Sequence, residues 1–150
     1  MEINTRDFGI VEVQDDAIYE FDDGLYGFED AKRFAIFEKS FDDVSFLYLQ
    51  CIDNIYPCFL VFEPWELYPD YQPVLTKEDM EICRVSDIDE LIFLVIANVP
   101  DSIRDLSINI KSPVVLNPKT GKARQVILQN PDYTVRYLPF NQDGKAGSGC

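Results

Sequence analysis

The stretch "VVLNPKTGKARQVILQ", Val114 to Gln129, decides the fold class, because it places two strand patterns on either side of a tight turn. Val114 to Asn117 and Ala123 to Gln129 are rich in β-branched and other apolar residues. The intervening "PKTGK" has the Pro-x-x-Gly pattern of a turn. The segment therefore predicts a β-hairpin.

Runs of the same kind follow one another along the chain, separated by turn residues. The others are "FGIVEV" (8–13), "AIYEF" (17–21), "RFAIFE" (33–38), "SFLYLQ" (45–50), "CFLVFE" (58–63), "LIFLVIANV" (91–99), "LSINIK" (106–111) and "TVRYL" (134–138). Many short strands at regular spacing are typical of an antiparallel barrel or sandwich. The sequence predicts a mainly all-β fold, with residues 1–140 as one small β-barrel or sandwich-like domain.

One segment has helix signals, and we expect one or two short helical turns in all. In "LTKEDMEI", Thr76 is placed to cap a helix with Asp79 three residues on, while Leu75 and Met80 occupy the positions of a hydrophobic staple. A second Ser-x-x-Asp pattern, Ser86 to Asp89, predicts a further turn but has no apolar period behind it.

The last ten residues, "NQDGKAGSGC" (141–150), differ in composition from the rest. Their glycine and polar content predicts a flexible tail, because such a segment buries little apolar area. The composition also fits a segment added by cloning, with Cys150 as an introduced handle.

Composition indicates a folded cytoplasmic protein. The chain is 47% hydrophobic, and its longest apolar run, "LIFLVIA", is far shorter than the ~20 residues that a membrane helix needs. The start, "MEINTRDFG", lacks the pattern of a signal peptide. Cys51, Cys58 and Cys83 match no zinc spacing and lie in or beside apolar segments, which predicts buried, reduced thiols.

Charge indicates the kind of partner. The formal net charge is −14, and residues 1–100 hold 23 acidic residues against 6 basic ones. This excess argues against direct nucleic-acid binding, because phosphate contacts need Lys and Arg. A strongly negative face would instead steer a basic protein toward it, although solubility alone also explains an acidic surface.

Catalytic patterns are scarce. The chain contains no His, so Ser-His-Asp and Cys-His arrangements are excluded. Gly24 and Gly27 form neither a dinucleotide-binding fingerprint nor a P-loop. Adjacent acids occur at 15–16, 22–23 and 42–43, and these are more typical of solvated turns than of a catalytic pair. We predict a non-enzymatic protein without cofactor or metal; a carboxylate-dependent enzyme or metal-binding module on a β-barrel is the alternative.

Four segments carry a family resemblance. They are "DGLYGFED" (23–30), "LQ" (49–50), "FLVFEPWELYPDY" (59–71) and "INIKSPVVLNPKTGKARQVIL" (108–128). In this order and spacing the chain resembles the flagellar assembly factor FliW family over about residues 2 to 138. It departs from the family pattern at Tyr26, where Pro is expected, and at Ser112, where Ala is expected.

The resemblance implies a function in partner switching. Proteins similar to this one bind flagellin before its export, and they bind CsrA, a basic RNA-binding dimer that represses translation of flagellin mRNA. When flagellin is secreted, the freed protein captures CsrA and translation resumes. The implied fold is a small antiparallel β-barrel, and the implied partners are two proteins, with no nucleic acid or membrane bound directly.

The candidate partner-binding residues come from three of these segments, "FLVFEPWELYPDY" (59–71), "DGLYGFED" (23–30) and "INIKSPVVLNPKTGKARQVIL" (108–128). Around "EPWELYPDY", Trp and Tyr are typical anchors, prolines lower the ordering cost, and acids supply rim charge. The simpler interpretation is that this segment is a stiffened crossover whose aromatic rings fill the edge of the core. The candidates are Glu63, Trp65, Glu66, Tyr68, Asp70, Tyr71, Phe28, Glu29, Asn109 and Asn117, the last four having turn or strand-end roles as the alternative.

Overall fold

Ten β-strands and two short α-helices form the fold, which a computed structural model describes for residues 1–141. The strands are β1 (Glu2–Thr5), β2 (Gly9–Glu12), β3 (Ile18–Phe21), β4 (Arg33–Phe41), β5 (Val44–Cys51), β6 (Cys58–Phe62), β7 (Ile92–Asn98), β8 (Ser107–Ile108), β9 (Val114–Asn117) and β10 (Lys122–Gln125). The helices are α1 (Pro64–Leu67) and α2 (Lys77–Cys83), and 3₁₀ turns lie at Asp15–Ala17, Ile88–Glu90 and Ile103–Asp105.

Seven strands close into a barrel in the order β6-β5-β4-β3-β10-β9-β7. The ring is closed by pairing of β6 with β7, where Val61 lies opposite Ile96. Every pair around the ring is antiparallel except β3 with β10. The predicted all-β fold is confirmed, and between barrel and sandwich the structure selects the barrel.

The period of two in the strands separates an inner from an outer core. In β4, Phe34 and Ile36 belong to the barrel interior, whereas Ala35 and Phe37 pack on the outside. Alternate residues of a strand point to opposite faces, so one strand serves both layers. The outer layer here is the β1–β2 hairpin, whose Ile3 is buried against β4.

A second outer layer covers β7 and β9. Phe93 and Val95 of β7 and Val115 of β9 are at most 3% exposed, although they do not belong to the interior cluster. They pack against α1, the β8 region and residues 126–137. Because this covering segment has almost no regular structure, its apolar side chains hold it in place.

Two local predictions are confirmed. β9 and β10 form the predicted hairpin, with Asn117 opposite Lys122 and Gly121 at φ +72° in the turn, although β10 ends at Gln125 rather than at the predicted Gln129. Thr76 caps α2, because its Oγ1 accepts a hydrogen bond of 2.9 Å from the Asp79 N–H.

Other local predictions are wrong or incomplete. "TVRYL" forms no strand and contributes only a bridge between Tyr137 and Ile108, because its side chains pack as a covering segment. β1 and α1 were not predicted. The turn after Ser86 is capped by Asp87, which forms a capping box with Glu90.

The three cysteines within residues 1–141 are free thiols. Cys51 and Cys58 are buried and free, as predicted, and burial raises the pKa of the Cys58 thiol to about 11. Cys83 is also free but only half-buried. No helix within residues 1–141 has the length and apolar character needed to cross a membrane. The predicted tail, apart from Asn141, lies outside the described residues.

Candidate partner-binding site

The segment that follows β6 is a helical turn rather than an open loop. Glu63 occupies the N-cap position with extended backbone, and Pro64 stands at the start of α1, where its missing N–H costs nothing. The Tyr68 N–H donates to the Pro64 carbonyl at 2.8 Å and closes the turn. Trp65 and Glu66 are thereby placed on the surface.

Trp65 is held on one side and open on the other. Its Nε1 donates a hydrogen bond of 2.9 Å to the Tyr71 carbonyl. Its ring packs edge-to-face on Tyr71 at 5.7 Å and on Phe93 at 5.9 Å between centroids. The side chain is nevertheless 44% exposed. A fixed, half-exposed indole is suited to act as a binding anchor because little entropy is lost when it is covered.

Tyr71 belongs to the interior. It is 2% exposed, its hydroxyl donates to the Ile110 carbonyl at 2.8 Å, and its ring stacks on Tyr133 with centroids 5.0 Å apart. Burial raises the pKa of the Tyr71 hydroxyl. Its side chain offers no contact surface, and its role in this structure is to attach the segment to the second core.

Tyr68 lies between these extremes. It is half-buried, and its ring has edge-to-face contacts with Tyr71, Tyr133 and Tyr137 at centroid distances of 4.9 to 6.0 Å. Asp70, two residues further on, is exposed. Of this pair, Asp70 is therefore the more available to a partner.

Acidic charge gathers around α1. Glu63 and Glu66 are both exposed, and neither forms an ion pair within residues 1–141. Partial desolvation, and then the negative charge of Glu63, raises the pKa of Glu66. The two carboxylates therefore repel each other, and a cation from a partner would relieve that repulsion.

Two residues that were not predicted hold the segment in place. Asn130 accepts a hydrogen bond from the Val74 N–H at 2.9 Å and donates to the Gln72 carbonyl at 2.8 Å. The Tyr133 hydroxyl accepts from the Gln72 N–H at 2.8 Å. The Asn-Pro pair at 130–131 is a turn signal that sequence reasoning could have used.

Phe28 and Glu29 lie on a tight turn between β3 and β4. Phe28 is 44% exposed and packs edge-to-face on Phe59 at 5.4 Å. Glu29 accepts a hydrogen bond of 3.0 Å from the Gly27 N–H, and this backbone contact lowers the pKa of its carboxyl group. Both side chains are on the surface, although Glu29 also stabilises its own turn.

Asn109 and Asn117 serve the backbone. Asn109 Oδ1 accepts from the Ser112 N–H at 2.9 Å. Asn117, 4% exposed, donates through Nδ2 to the Cys83 carbonyl at 2.8 Å and accepts from the Lys119 N–H at 3.0 Å. The turn roles considered as the alternative are the ones that the structure shows for both.

The candidates thus form two groups rather than one. Phe28 contacts Phe59 near the start of β6, whereas Glu63 and α1 follow the end of the same strand. The exposed members of the first group are Phe28 and Glu29, and those of the second are Glu63, Trp65, Glu66 and Asp70.

The acids at 22–23, one of the three pairs considered for catalysis, contact basic residues of β10. Asp22 pairs with Lys122 at 3.1 Å, and Asp23 approaches Arg124 at 3.5 Å. Within residues 1–141, no group of three or more Cys, Asp or Glu side chains is placed to hold a metal ion.

The fold places this chain among small proteins built on a closed β-barrel with outer covering segments. The FliW protein family model matches residues 2–139, so this chain belongs to the FliW family. It is similar to the flagellar assembly factor FliW of Thermoanaerobacter pseudethanolicus, with 36% identity over 91% of each chain. The same factor of Ruminiclostridium cellulolyticum is 35% identical over 95% of this chain and 96% of its own.

The fold agrees with a solved structure. The crystal structure of a flagellar assembly factor FliW superposes with a TM-score of 0.82 and 26% identity, covering 95% of this chain and 99% of that one. The resemblance identified from the four sequence segments is confirmed, and the chain is a flagellar assembly factor of this family.

Proposed function

We propose that this flagellar assembly factor binds flagellin in the cytoplasm and, when free of flagellin, binds the translational repressor CsrA and relieves repression of flagellin mRNA. It acts by binding alone, without catalysis or cofactor, and contacts neither nucleic acid nor membrane directly. Membership of the FliW family supports the link to flagellar assembly, and the two partners follow from the resemblance.

Unpaired negative charge is the observation that supports binding to CsrA. Residues 1–100 hold 23 acidic and 6 basic residues. Several bases are already used within the chain, in the pairs Arg6–Asp7, Arg33–Asp53, Lys122–Glu20, Lys122–Asp22 and Arg124–Asp23. An RNA-binding protein must present Lys and Arg to phosphates, so its surface complements this excess of carboxylates.

The flagellin half rests on exposed aromatic surface. We expect the export-competent ends of flagellin to be amphipathic helices, and such helices bind by placing apolar side chains against an apolar surface. Trp65 offers a fixed and half-exposed ring for this contact. A second exposed ring, Phe28, lies near the other end of β6 and leaves room for separate partner surfaces.

Titration calorimetry with purified partners tests the proposal. The chain is expected to bind CsrA and flagellin each with defined stoichiometry, and to show no heat with divalent metal ions. If it bound neither protein but bound a divalent metal stoichiometrically, the metal-binding alternative would replace the proposal.

A further inference from the structure

One end of the barrel is closed and the other is open. At the closed end the turn between β3 and β4 inserts Leu25, which is 2% exposed, into the barrel core. At the other end Ile36 and Leu47 point inward and yet remain partly exposed. Within residues 1–141 no segment covers these two side chains, and the opening is a cavity of about 360 Å³.

The walls of this opening are apolar and its rim is acidic. The inward-facing walls are Tyr19, Ile36, Leu47, Leu94 and Leu116. The exposed acidic residues Asp16 and Glu63 line the rim, together with Ile92, which is 39% exposed. All the lining residues belong to the described part of the chain, and none of them is Lys or Arg.

Both rim carboxylates are available to a ligand. Neither takes part in an ion pair within residues 1–141, and both residues are exposed. Asp16 lies close enough to Tyr19 for its charge to add to burial in raising the pKa of that hydroxyl. Apolar walls of low dielectric concentrate the field of the two charges at the opening.

We propose that this opening accepts one long basic side chain, lysine or arginine, from the basic protein partner. The inference rests on the proposed function and adds the contact that would orient that partner. Such a side chain lies across the mouth of the opening, with its aliphatic stem against the partly exposed edges of Ile36, Leu47 and Ile92 and its charged end at the rim. There it forms charge-assisted hydrogen bonds with Asp16 and Glu63.

Other occupants fit the opening less well. An apolar side chain would cover two carboxylates without giving them a partner, which carries a desolvation cost. An acidic side chain would be repelled by both. The cavity volume lies at the low end of the range for small-ligand pockets, which suits a single side chain rather than a whole cofactor.

The direct test uses the protein and simple probes. Amide NMR spectra are recorded during titration with Nα-acetyl-lysine amide and Nα-acetyl-arginine amide, with Nα-acetyl-norleucine amide as the uncharged control. We expect shifts at Ala17 and Ile92 with the basic probes only, and their loss in the Asp16→Asn, Glu63→Gln double variant. Shifts absent up to the solubility limit, equal with norleucine amide, or unchanged in the double variant would overturn the inference.

A second measurement uses the partner. The double variant is expected to associate with CsrA about tenfold more slowly at low salt. The control, Asp101→Asn with Asp105→Asn, removes the same charge from exposed positions after β7 and should keep the parent rate. If the parent fails to bind CsrA, the proposed function fails while the NMR titration still decides the opening. If the double variant associates with CsrA as fast as the control variant does, the inferred role of the opening is overturned, whereas the proposed function stands.

Discussion

Gly24 permits the turn between β3 and β4 that closes one end of the barrel. Its φ is +67°, and a Cβ built on it would lie 2.6 Å from the backbone of Glu29. Gly27 in the same turn has φ +86° but nothing within 4 Å of its Cβ position. The motif "DGLYGFED" therefore contains two glycines with different requirements, one for backbone conformation alone and one for conformation and close approach.

Replacing these glycines separates the two requirements. Gly24→Ala is expected to lower the free energy of unfolding by about 3 kcal/mol, because it adds backbone overlap to an unfavourable φ. Gly27→Ala, the matched control, should cost about 1 kcal/mol from φ alone. Urea unfolding of both variants checks this, and equal losses would show that the approach to Glu29 is not what requires glycine.

The burial of single aromatic residues could not be predicted from the sequence. Trp65 and Tyr71 belong to one motif, yet one is 44% and the other 2% exposed. The difference arises from Ile110 and Tyr133, which are 39 and 62 positions from Tyr71 along the chain. No local pattern reports contacts at that separation, so the motif was identified while the roles within it were not.

Among the strands and helices, those specified by neighbouring residues were predicted correctly, whereas those that depend on tertiary contacts were missed or assigned wrongly. The β9–β10 hairpin and the Thr76 cap depend on residues that are neighbours in sequence, and both were predicted. β1, "EINT", has no apolar run, and it is a strand because it pairs with β2 and buries Ile3. Residues 134–138 read as a strand but lie as a covering segment, because packing of Tyr137 outweighs the local pattern.

Element α1 supplies the anchor for flagellin in the proposed function. Trp65→Ala should weaken flagellin binding by about tenfold or more, as loss of an aromatic anchor does, and weaken CsrA binding less. Trp65→Phe is the control, since it keeps the ring contacts with Tyr71 and Phe93 but loses the hydrogen bond to the Tyr71 carbonyl. Calorimetry with each partner checks this, and equal losses for both partners would indicate general destabilisation.

The acids around α1 are predicted to face CsrA. Glu66→Lys with Asp70→Lys reverses two exposed charges and should change stability by no more than about 0.5 kcal/mol per site. Association with CsrA should slow and lose salt sensitivity, while flagellin binding is largely kept. Stopped-flow kinetics measure both rates.

A matched reversal lies on the next helix. Glu78→Lys with Glu81→Lys makes the same change of charge at exposed positions of α2. If both double variants slowed CsrA equally, total charge rather than the α1 surface would account for the rate. If the Glu66, Asp70 variant kept its melting temperature and the parent affinity for CsrA, the contact surface would lie elsewhere, among the acids between Asp15 and Asp30.

At the scale of the whole molecule, the uneven charge should govern association. Electrostatic steering is screened over ~8 to 10 Å at physiological ionic strength. The association rate with CsrA should therefore fall markedly between low and physiological salt, whereas dissociation of flagellin from an apolar contact should change little. A CsrA association rate that is independent of salt would show that charge does not govern association.

We propose that one molecule of this protein exchanges CsrA for flagellin, and a reconstituted RNA-release assay tests this exchange. CsrA is bound to labelled flagellin leader RNA, this protein is added, and purified flagellin follows, with RNA anisotropy measured throughout. We expect this protein to release the RNA from CsrA, and flagellin to restore the binding of the RNA to CsrA. RNA that stays bound when this protein is added, or that stays free after flagellin is added in excess, would contradict the claim.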